Sequence, residues 1–323
     1  MTASNNNEQM NNLSINEPYS NLTPKQKMRY FYDRYQRSGA VGFGTPIPPK
    51  LPESLTNVKL EGKQVAQLPL TTLETSVLFG TISGDTSINI DKGYKNARCQ
   101  CRHSTRQSEW FFWKWITVLG RFCELSSMLW QASDGYQLAS AEKPGELLGK
   151  LKVTTRACEE LTQVHSIIVT KGKKGFRRSW LNHMTDYFLM TLWLDDGSIH
   201  AGGTQGEFAL DMHEVADLEL FSDYLRTVWG VNNYVVDKKE YTKCGHRRHR
   251  INIASPKDLL NLLRIIAPII PVRSMLYKVY FVSHNDSNLT QRWACELVSL
   301  VKDEFKDEVK TFYANLQTQV EDV

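Results

Sequence analysis

The chain has 323 residues, of which 41% are hydrophobic and 23% charged, and its formal net charge is +4. This composition is typical of a soluble globular protein and excludes a fibrous or wholly disordered chain. No run approaches the roughly 20 apolar residues of a membrane span, and the first residues have neither the basic nor the apolar region of a secretory signal. We therefore expect a folded protein without a membrane segment or a secretory signal.

The positive charge is concentrated in the centre of the chain. Residues 1–23 hold two acids and no base, and residues 302–323 hold three lysines and six acids, so that residues 24–301 carry a net +9. A basic centre is typical of a protein that binds a polyanion such as nucleic acid, and equally of a lysine-rich solvated surface. The six cysteines are widely spaced, which favours a reducing compartment over a disulfide scaffold.

Composition and pattern divide the chain into five regions. Residues 1–67 are predicted to be a disordered or extended lead with one short helix near 25–37, because they are rich in Asn, Ser and Pro. Residues 68–170 and 183–282 are predicted to be two similar half-domains, joined by a basic linker at 171–182. Residues 283–323 are predicted to be a C-terminal extension with an amphipathic helix at 301–320.

The two half-domains share one predicted order of elements: helix, strand, strand, helix, strand, strand, helix. In the first half these are predicted at 72–84, 85–90, 97–103, 104–120, 127–131, 148–155 and 157–169. In the second half they are predicted at 184–194, 198–200, 207–211, 215–229, 234–237, 249–254 and 256–266. The repeat predicts an α+β fold in which a pseudo-twofold axis relates two αββαββα halves.

Each half opens with an apolar helix that runs into an acid, in the sequences LFGTISGDT and LMTLWLDDG. Asp85 and Asp196 take the same place in the repeat, where a helix C-terminus disfavours negative charge and a cation is a good partner. Small residues at Gly80, Ser83 and Gly84 would let the two helices approach. Paired carboxylates at such a seam form an oxygen-rich site suited to Mg²⁺. Taken singly, the first acid is also typical of a strand start and the second of an Asp-Gly turn.

The two motifs resemble those of the LAGLIDADG homing endonucleases, in the single-chain form with two motif copies. The positions that carry the resemblance are Leu78, Gly80, Ile82, Asp85, Leu189, Leu192, Asp196 and Gly197. The string WLDDG and the later MLYK are similar to those of a yeast mitochondrial, intron-encoded member of the family. Thr86 and Thr191 depart from the pattern by replacing glycines, which bears on how closely the helices pack and not on the presence of the carboxylates.

The resemblance implies a monomeric, site-specific endonuclease that hydrolyses one phosphodiester in each DNA strand and leaves short 3′ overhangs. It implies Mg²⁺, which Mn²⁺ can replace, held by Asp85 and Asp196 with contributions from Gly84 and Asp195. Asp195 is either part of this metal shell or a turn residue. A group I intron in a mitochondrial or chloroplast genome is the expected origin.

The family also implies a catalytic lysine in each half, which polarises water or offsets the phosphate charge. Lys278 of the MLYK segment matches the position in the second half. In the first half the match falls in the basic linker, where Lys174 is favoured and Lys173 is the competitor. The alternative for Lys174 is a residue of a flexible basic linker, and the alternative for Lys278 is an ordinary surface lysine.

By the same resemblance, the two halves form saddle-shaped antiparallel sheets that lie in the major groove of a target of about 20 base pairs. We expect polar side chains on the strands and turns to contact DNA, and about half of them to be merely exposed. In the first half and the linker, the candidates are Asn89, Lys92, Lys95, Asn96, Arg98, Gln100, Arg102, Lys150, Lys152, Thr154 and Lys173. In the second half they are His200, Thr204, Gln205, Lys238, Lys239, Lys243, Arg247, Arg248 and Arg250.

Other functions fit parts of the same sequence. An RNA maturase that binds its own intron, or a DNA-binding regulator, would need the basic surface but not the two acids, so the acids favour the nuclease. The sequences CQCRH at 99–103 and CGHRRH at 244–249 could bind zinc, but their spacing is not that of usual zinc sites, and two thiols on one strand face are more typical of core packing.

Overall fold

The structure, a computed structural model, describes residues 22–38, 59–60, 63–64, 70–132, 149–170, 172–200, 202–241, 245 and 247–321. The predicted DNA contact Lys243 and the first residues of the second zinc-like sequence, Cys244 and His246, lie outside these ranges. Among the helices that the structure describes, none is both long and apolar enough to cross a membrane.

The helices and strands follow the predicted repeat. The first part of the chain contains α1 (Pro24–Arg37), β1 (Lys59–Leu60), β2 (Lys63–Gln64), α2 (Thr72–Ser83), β3 (Thr86–Asn89), β4 (Arg98–Ser104), α3 (Ser108–Phe112), a π-helix (Trp113–Val118), β5 (Met128–Gln131), β6 (Lys150–Thr154) and α4 (Glu159–Ile168). A connection of β7 (Val169–Thr170), β8 (Lys173–Lys174) and α5 (Arg178–Leu181) follows. The rest contains α6 (Asp186–Asp196), β9 (Gly197–Ile199), β10 (Gly206–Phe208), α7 (Val215–Trp229), β11 (Tyr234–Tyr241), β12 (Arg247–Ile253), α8 (Pro256–Ile266), a 3₁₀-helix (Arg273–Val279), α9 (Ser287–Leu300) and α10 (Lys306–Glu321).

Each half folds one four-stranded antiparallel sheet with the same strand order. The order is β3-β4-β6-β5 in the first half and β9-β10-β12-β11 in the second. The register repeats as well, because Thr86 pairs with Cys101 in the first sheet and Gly197 pairs with Phe208 in the second. Both sheets therefore begin directly after a motif acid, and the predicted α+β fold of two αββαββα halves is confirmed.

The motif helices α2 and α6 form the centre of the molecule. A capping box begins α2, in which Thr71 Oγ1 accepts from the backbone N–H of Glu74 and the Glu74 carboxylate accepts from that of Thr71, at 3.1 and 2.7 Å. Apart from Glu74, every residue of α2 is buried, and α6 is buried from Phe188 to Asp195. A helix that is apolar on all sides is stable only inside a core, so each half covers the motif helix of the other.

The largest differences from the prediction concern three helices. The helix predicted at 104–120 is shorter and ends in the π-helix, because apolar periodicity alone does not separate an α-turn from a wider π-turn. The helix predicted at 301–320 begins at Lys306, and α9 before it was not predicted. The short helix predicted near 25–37 is present as α1, and it buries Met28, Phe31 and Tyr35 in the core, so this part of the lead is not extended.

Candidate active site

The two motif helices approach closely along a seam of small residues. At Gly80, an added Cβ would lie 2.8 Å from Cβ of Thr191 and 2.9 Å from the carbonyl oxygen of Phe188, closer than side-chain carbons normally approach. At Gly84, an added Cβ would collide with the carboxylate of Asp196. The threonine that replaces a motif glycine in α6 therefore does not separate the helices, because Gly80 on the facing helix leaves room for it.

Asp85 and Asp196 meet where this seam ends, one just beyond α2 and the other as the last residue of α6. Neither carboxylate accepts a hydrogen bond from any residue in the described ranges. Burial and the charge of Asp195 raise the pKa of Asp85 to about 7. Burial and the charges of the other two acids raise the pKa of Asp196 well above its usual value. The two carboxylates are thus close enough to repel each other and have oxygens available for a cation.

Asp195 has a different environment from its neighbour in sequence. Its buried carboxylate accepts from Lys114 Nζ at 2.7 and 2.8 Å, from Trp110 Nε1 at 2.7 Å and from Thr81 Oγ1 at 2.8 Å. Burial alone would raise the pKa of Asp195, but the ammonium of Lys114 and the hydrogen-bond donors hold it below its usual value. Asp195 is therefore the acid of a buried ion pair rather than a turn residue, and a metal role for it stays a prediction.

Lys114 links this acid to a histidine. Its ammonium lies 2.8 Å from Nε2 of His103 and donates to it. The ring proton is therefore on Nδ1, which lies 3.2 Å from Oε1 of Gln107. Burial and the nearby ammonium lower the pKa of His103 to about 3, so the ring is neutral. Nδ1 is also 3.6 Å from Oδ2 of Asp85. We call Asp195, Lys114 and His103 the interior cluster. It connects Asp85, the acid of the first motif, to Asp195 in the second motif.

Each predicted catalytic lysine lies at the end of a motif helix. Lys174 Nζ donates to the carbonyl oxygens of Ile82 at 2.7 Å and Thr86 at 3.2 Å, and Lys278 Nζ donates to that of Gly197 at 2.6 Å. Burial lowers the pKa of both lysines, and the negative charges of the motif acids oppose this shift. The structure thus brings the two acids and the two lysines together at one seam.

Lys173 does not share this position. Its ammonium forms an ion pair with Glu214 at 2.5 Å, and its side chain is 61% exposed. Of the two first-half candidates, Lys174 is therefore the one that lies beside the acids.

The arrangement fits an oxygen-ligated divalent cation. Asp85, His103 and Asp195 offer atoms within 4.8 Å of one another, but the ammonium of Lys114 already lies between the last two. The carboxylates with available oxygens are those of Asp85 and Asp196. Burial, and after it the charges of neighbouring acids, raises the pKa of both, and a bound cation would offset this cost of negative charge. Carboxylate oxygens are the ligands that Mg²⁺ takes in proteins. Gly84 is close by, with its carbonyl oxygen 3.4 Å from Nζ of Lys174.

The first sheet presents one polar and one apolar face. Side chains alternate between buried and accessible along β3, β4 and β6. The strand register places seven predicted DNA contacts on the accessible face: Asn89, Arg98, Gln100, Arg102, Lys150, Lys152 and Thr154. Lys92, Lys95 and Asn96 lie in the turn between β3 and β4, and Asn96 Oδ1 accepts from Thr162 of α4. The apolar face buries Cys99 and Cys101 in the core.

The second sheet carries basic residues that are matched by acids. Glu207 contacts Arg250, and it lies 3.0 Å from Lys238 and 3.2 Å from His200. Asp211 lies between Arg248 and Arg250. Arg247 contacts Asp237, while Lys239 lies in the bulged part of β11 with a positive φ of 56°. Thr204 and Gln205 lie in the turn that precedes β10. These acids were not anticipated from the sequence.

The sequence argument also missed most of the interior cluster and its neighbours. Lys114 stands alone in the apolar run WFFWKWI, and a lone buried charge requires a partner, which is the signal that could have found it. Trp193 Nε1 donates to the carbonyl oxygen of Lys278 at 2.9 Å. His213 Nε2 donates to the carbonyl oxygen of Ser83 at 2.8 Å. His213 and Trp193 have no comparable signal, because their partners are backbone atoms distant in sequence.

Fold and site together define a single-chain protein with two motif acids at a pseudo-twofold helix seam. Residues 75–257, more than half of the chain, match the sequence model of the LAGLIDADG DNA endonuclease family. The chain belongs to this family, and the resemblance stated from its motifs is confirmed. No curated protein matches it.

Solved structures are similar to this chain to different degrees. The homing endonuclease I-WcaI bound to its DNA recognition sequence is similar over 66% of this chain and 88% of that chain, with a TM-score of 0.54 and 17% identity, which establishes the fold. The N-terminal LAGLIDADG domain of DUF199/WhiA matches over 66% of this chain and 88% of that chain at a TM-score of 0.36 and 16% identity. A variant of I-DmoI in complex with its nicked target DNA matches over 60% of this chain and 95% of that chain, with a TM-score of 0.33 and 16% identity.

Proposed function

We propose that this protein is a site-specific endonuclease that cuts both strands of a DNA target and is encoded by a group I intron. The observation that carries the proposal is the meeting of Asp85 and Asp196 at the helix seam, each next to the end of a motif helix where a buried lysine docks. Family membership supports a DNA endonuclease. A DNA-binding regulator would have no use for two carboxylates that repel each other at this seam.

Asp85 and Asp196 would together hold Mg²⁺, or Mn²⁺ in its place. When bound there, a divalent cation lowers the pKa of a coordinated water and offsets charge on the scissile phosphate and the leaving oxygen. Lys174 and Lys278 hold a positive charge at each side of the seam, and hydrogen bonds to backbone carbonyls fix the position of each ammonium. One lysine for each half provides one such position for each DNA strand, and we expect the double-strand cut to leave short 3′ overhangs.

The two sheets supply the DNA contacts. Arg102 and Lys152 face each other across neighbouring strands of the first sheet, and neither forms an ion pair within the described ranges. Such side chains can donate to guanine or to phosphate in the major groove. In the second sheet, Glu207 and Asp211 hold the basic side chains in fixed positions, which favours recognition by geometry over simple charge attraction. A target of about 20 base pairs is part of this proposal, because two sheets side by side would cover about two turns of DNA.

The decisive experiment incubates the purified full-length chain and Mg²⁺ with two kinds of DNA. One is the intronless junction, in which the two exons on either side of the intron are joined directly. The other is a randomised plasmid library. We expect a double-strand cut at one site. Asp85→Asn and Asp196→Asn should each lower the cleavage rate by about 100- to 1000-fold, without weakening DNA binding in EDTA, because neither change removes a positive charge.

Asp33→Asn is the matched control, since Asp33 is on α1 and pairs with Arg29, away from the seam. It should cleave at the rate of the unchanged protein. Absence of cleavage on both DNAs would refute the nuclease. Splicing of the intron RNA that survives both motif substitutions would instead identify the maturase.

Two further properties belong to this proposal. Both acids come from one chain, so a monomer suffices for cleavage of both strands. Expression from a mitochondrial or chloroplast genome would place the protein in the organelle that holds its target. The flanking DNA sequence and the mass of the protein in solution test these two statements.

A further inference from the structure

The two lysines beside the seam are held by different devices. Lys174 is part of the tight hairpin β7–β8, in which it pairs with Val169, and the next residue, Gly175, donates to the carbonyl oxygen of Ile168 at 3.0 Å. These contacts are local in sequence. Lys278 lies near the end of a 3₁₀-helix, whose hydrogen bonds are weaker than those of an α-helix, so its position depends on contacts from elsewhere.

The C-terminal helices α9 and α10 provide those contacts along 279–283, the segment that follows Lys278. Trp293 Nε1 of α9 donates to the carbonyl oxygen of Val279, and Tyr313 of α10 donates through its hydroxyl to that of Phe281, both at 3.0 Å. Tyr280 stacks on a ring of α10 with centroids 4.0 Å apart. Val279, Tyr280 and Phe281, the three residues after Lys278, are thus each in contact with α9 or α10.

The backbone of this segment is also fixed from the opposite side. Trp193 of the second motif helix donates to the carbonyl oxygen of Lys278 at 2.9 Å. Gly203, with a φ of +73°, lies directly against the carbonyl group of Val282, and any Cβ there would collide with it. The segment is therefore clamped between the second half and the C-terminal helices.

Ion pairs fasten the C-terminal helices to the same part of the molecule. Arg264 of α8 binds Glu296 of α9 through two hydrogen bonds, at 2.6 and 3.0 Å. Arg273, the first residue of the 3₁₀-helix, lies 3.3 Å from Glu308 of α10. A displacement of α9 or α10 would consequently move the segment that carries Lys278 and leave Lys174 in place.

We propose that α9 and α10 are a positioning device for Lys278, in which Trp293 and Tyr313 fix the backbone that follows the lysine. The proposal rests on the proposed nuclease function, because it assigns the device to one of two active-site halves. Trp293 and Tyr313 are positioning residues, and neither touches the seam. Their loss should slow the cutting of one DNA strand only, whereas a general loss of folding would slow both.

The test uses Tyr313→Phe and Trp293→Phe in the full-length chain and measures single-turnover cleavage of each strand separately. We expect the strand that depends on Lys278 to be cut about tenfold more slowly, which is the effect of one lost hydrogen bond to a positioned group. The other strand should keep its rate, and nicked DNA should accumulate. Lys278→Met identifies the dependent strand.

Tyr224→Phe is the matched control, because Tyr224 also donates through a buried hydroxyl to a backbone carbonyl, that of Leu181, at 2.7 Å. It should affect the two strands equally. Equal slowing of both strands by Tyr313→Phe, or no change in either strand with both positioning variants, would overturn the proposal.

Hydrogen exchange separates failure of the device from failure of the nuclease. In the DNA-free protein, Tyr313→Phe should accelerate amide exchange at 276–283 and leave 168–176 unchanged. Unchanged exchange at 276–283 would overturn the device even in an active enzyme. Absence of cleavage by the unchanged protein would refute the proposed function, while exchange would still show whether the C-terminal helices hold the segment.

Discussion

The interior behind Asp85 contains the ion pair of Lys114 and Asp195, whereas apolar side chains take the places of Lys114 and His103 in the second half. Counted from the equivalent register pairs of the two sheets, Leu210 takes the place of His103 and Phe221 that of Lys114. Phe221 is fully buried and stacks on Phe176 with ring centroids 4.4 Å apart. The two halves therefore share backbone and motif acids while they differ in what lies beneath them.

This difference shows how a repeated fold fixes one arrangement of its halves. Asp195 belongs to the second motif, but its donors Lys114 and Trp110 belong to the first half. The equivalent position in the first motif is Gly84, where a Cβ would collide with Asp196, so a second such acid has no room. A buried ion pair contributes little net stability, but a mispaired one is costly, and the interior cluster thus favours this one pairing of the halves.

The largest expected effect tests that pairing. Lys114→Met would leave the carboxylate of Asp195 buried without its cation, and we expect the free energy of unfolding to fall by about 3–5 kcal/mol. Urea denaturation followed by tryptophan fluorescence measures the change. The double variant Lys114→Met with Asp195→Leu should recover part of the loss, because it removes the uncompensated charge. Strictly additive losses in this double-mutant cycle would contradict the role given to the pair.

A second prediction compares the lysines of the two halves. Lys174→Met should slow cleavage of one strand by about 100-fold, in the range of a lost proton-transfer or charge-stabilising group, and Lys278→Met should slow the opposite strand. Lys173→Met should change either rate by less than about threefold, since this side chain is exposed and bound to Glu214. Strand-resolved cleavage assays distinguish the variants. A greater effect at Lys173 than at Lys174 would reverse the assignment.

The smallest expected effect concerns the negative charge of Asp85, whose pKa is raised by burial and by the charge of Asp195. Because folding raises the pKa of Asp85 from 3.8 to about 7, the metal-free protein should lose stability as the pH rises from about 4 to about 7. Asp85→Asn removes this loss. At pH 8 we expect Asp85→Asn to raise the free energy of unfolding by about 1 kcal/mol, which is about 2 °C in Tm. The gain is no larger because the side chain is 36% exposed and solvent screens its charge.

Thermal melts in EDTA at pH 4 and pH 8 check this prediction, with Asp33→Asn as the control. The gain should be small at pH 4, where the carboxyl of Asp85 is protonated in the folded chain and only about half ionised in the unfolded chain, at its usual pKa of 3.8. A lower Tm for Asp85→Asn at pH 8 would show that this acid is already neutralised by protein groups.

Local signals made some elements predictable to the residue. The predicted helices 215–229 and 256–266 coincide with α7 and α8, because Gly230 ends the first with a φ of 65° and Ser255 and Pro256 begin the second. In α9, the residues buried in the core are few, chiefly Trp293 and Leu297, too few for a recognisable stripe. That helix is stabilised by its contacts with the rest of the fold.

The sequence by itself determined the repeat and the place of the two motif acids in it, because these are positions in a linear pattern, and the family resemblance added Lys278. Only the tertiary structure decided the role of Asp195, whose partner Lys114 is 81 positions away. It also decided between Lys173 and Lys174, and it joined α9 and α10 to Lys278. The physical reason is that burial, desolvation and hydrogen bonding between distant segments depend on which surfaces meet, and no local pattern of residues records that.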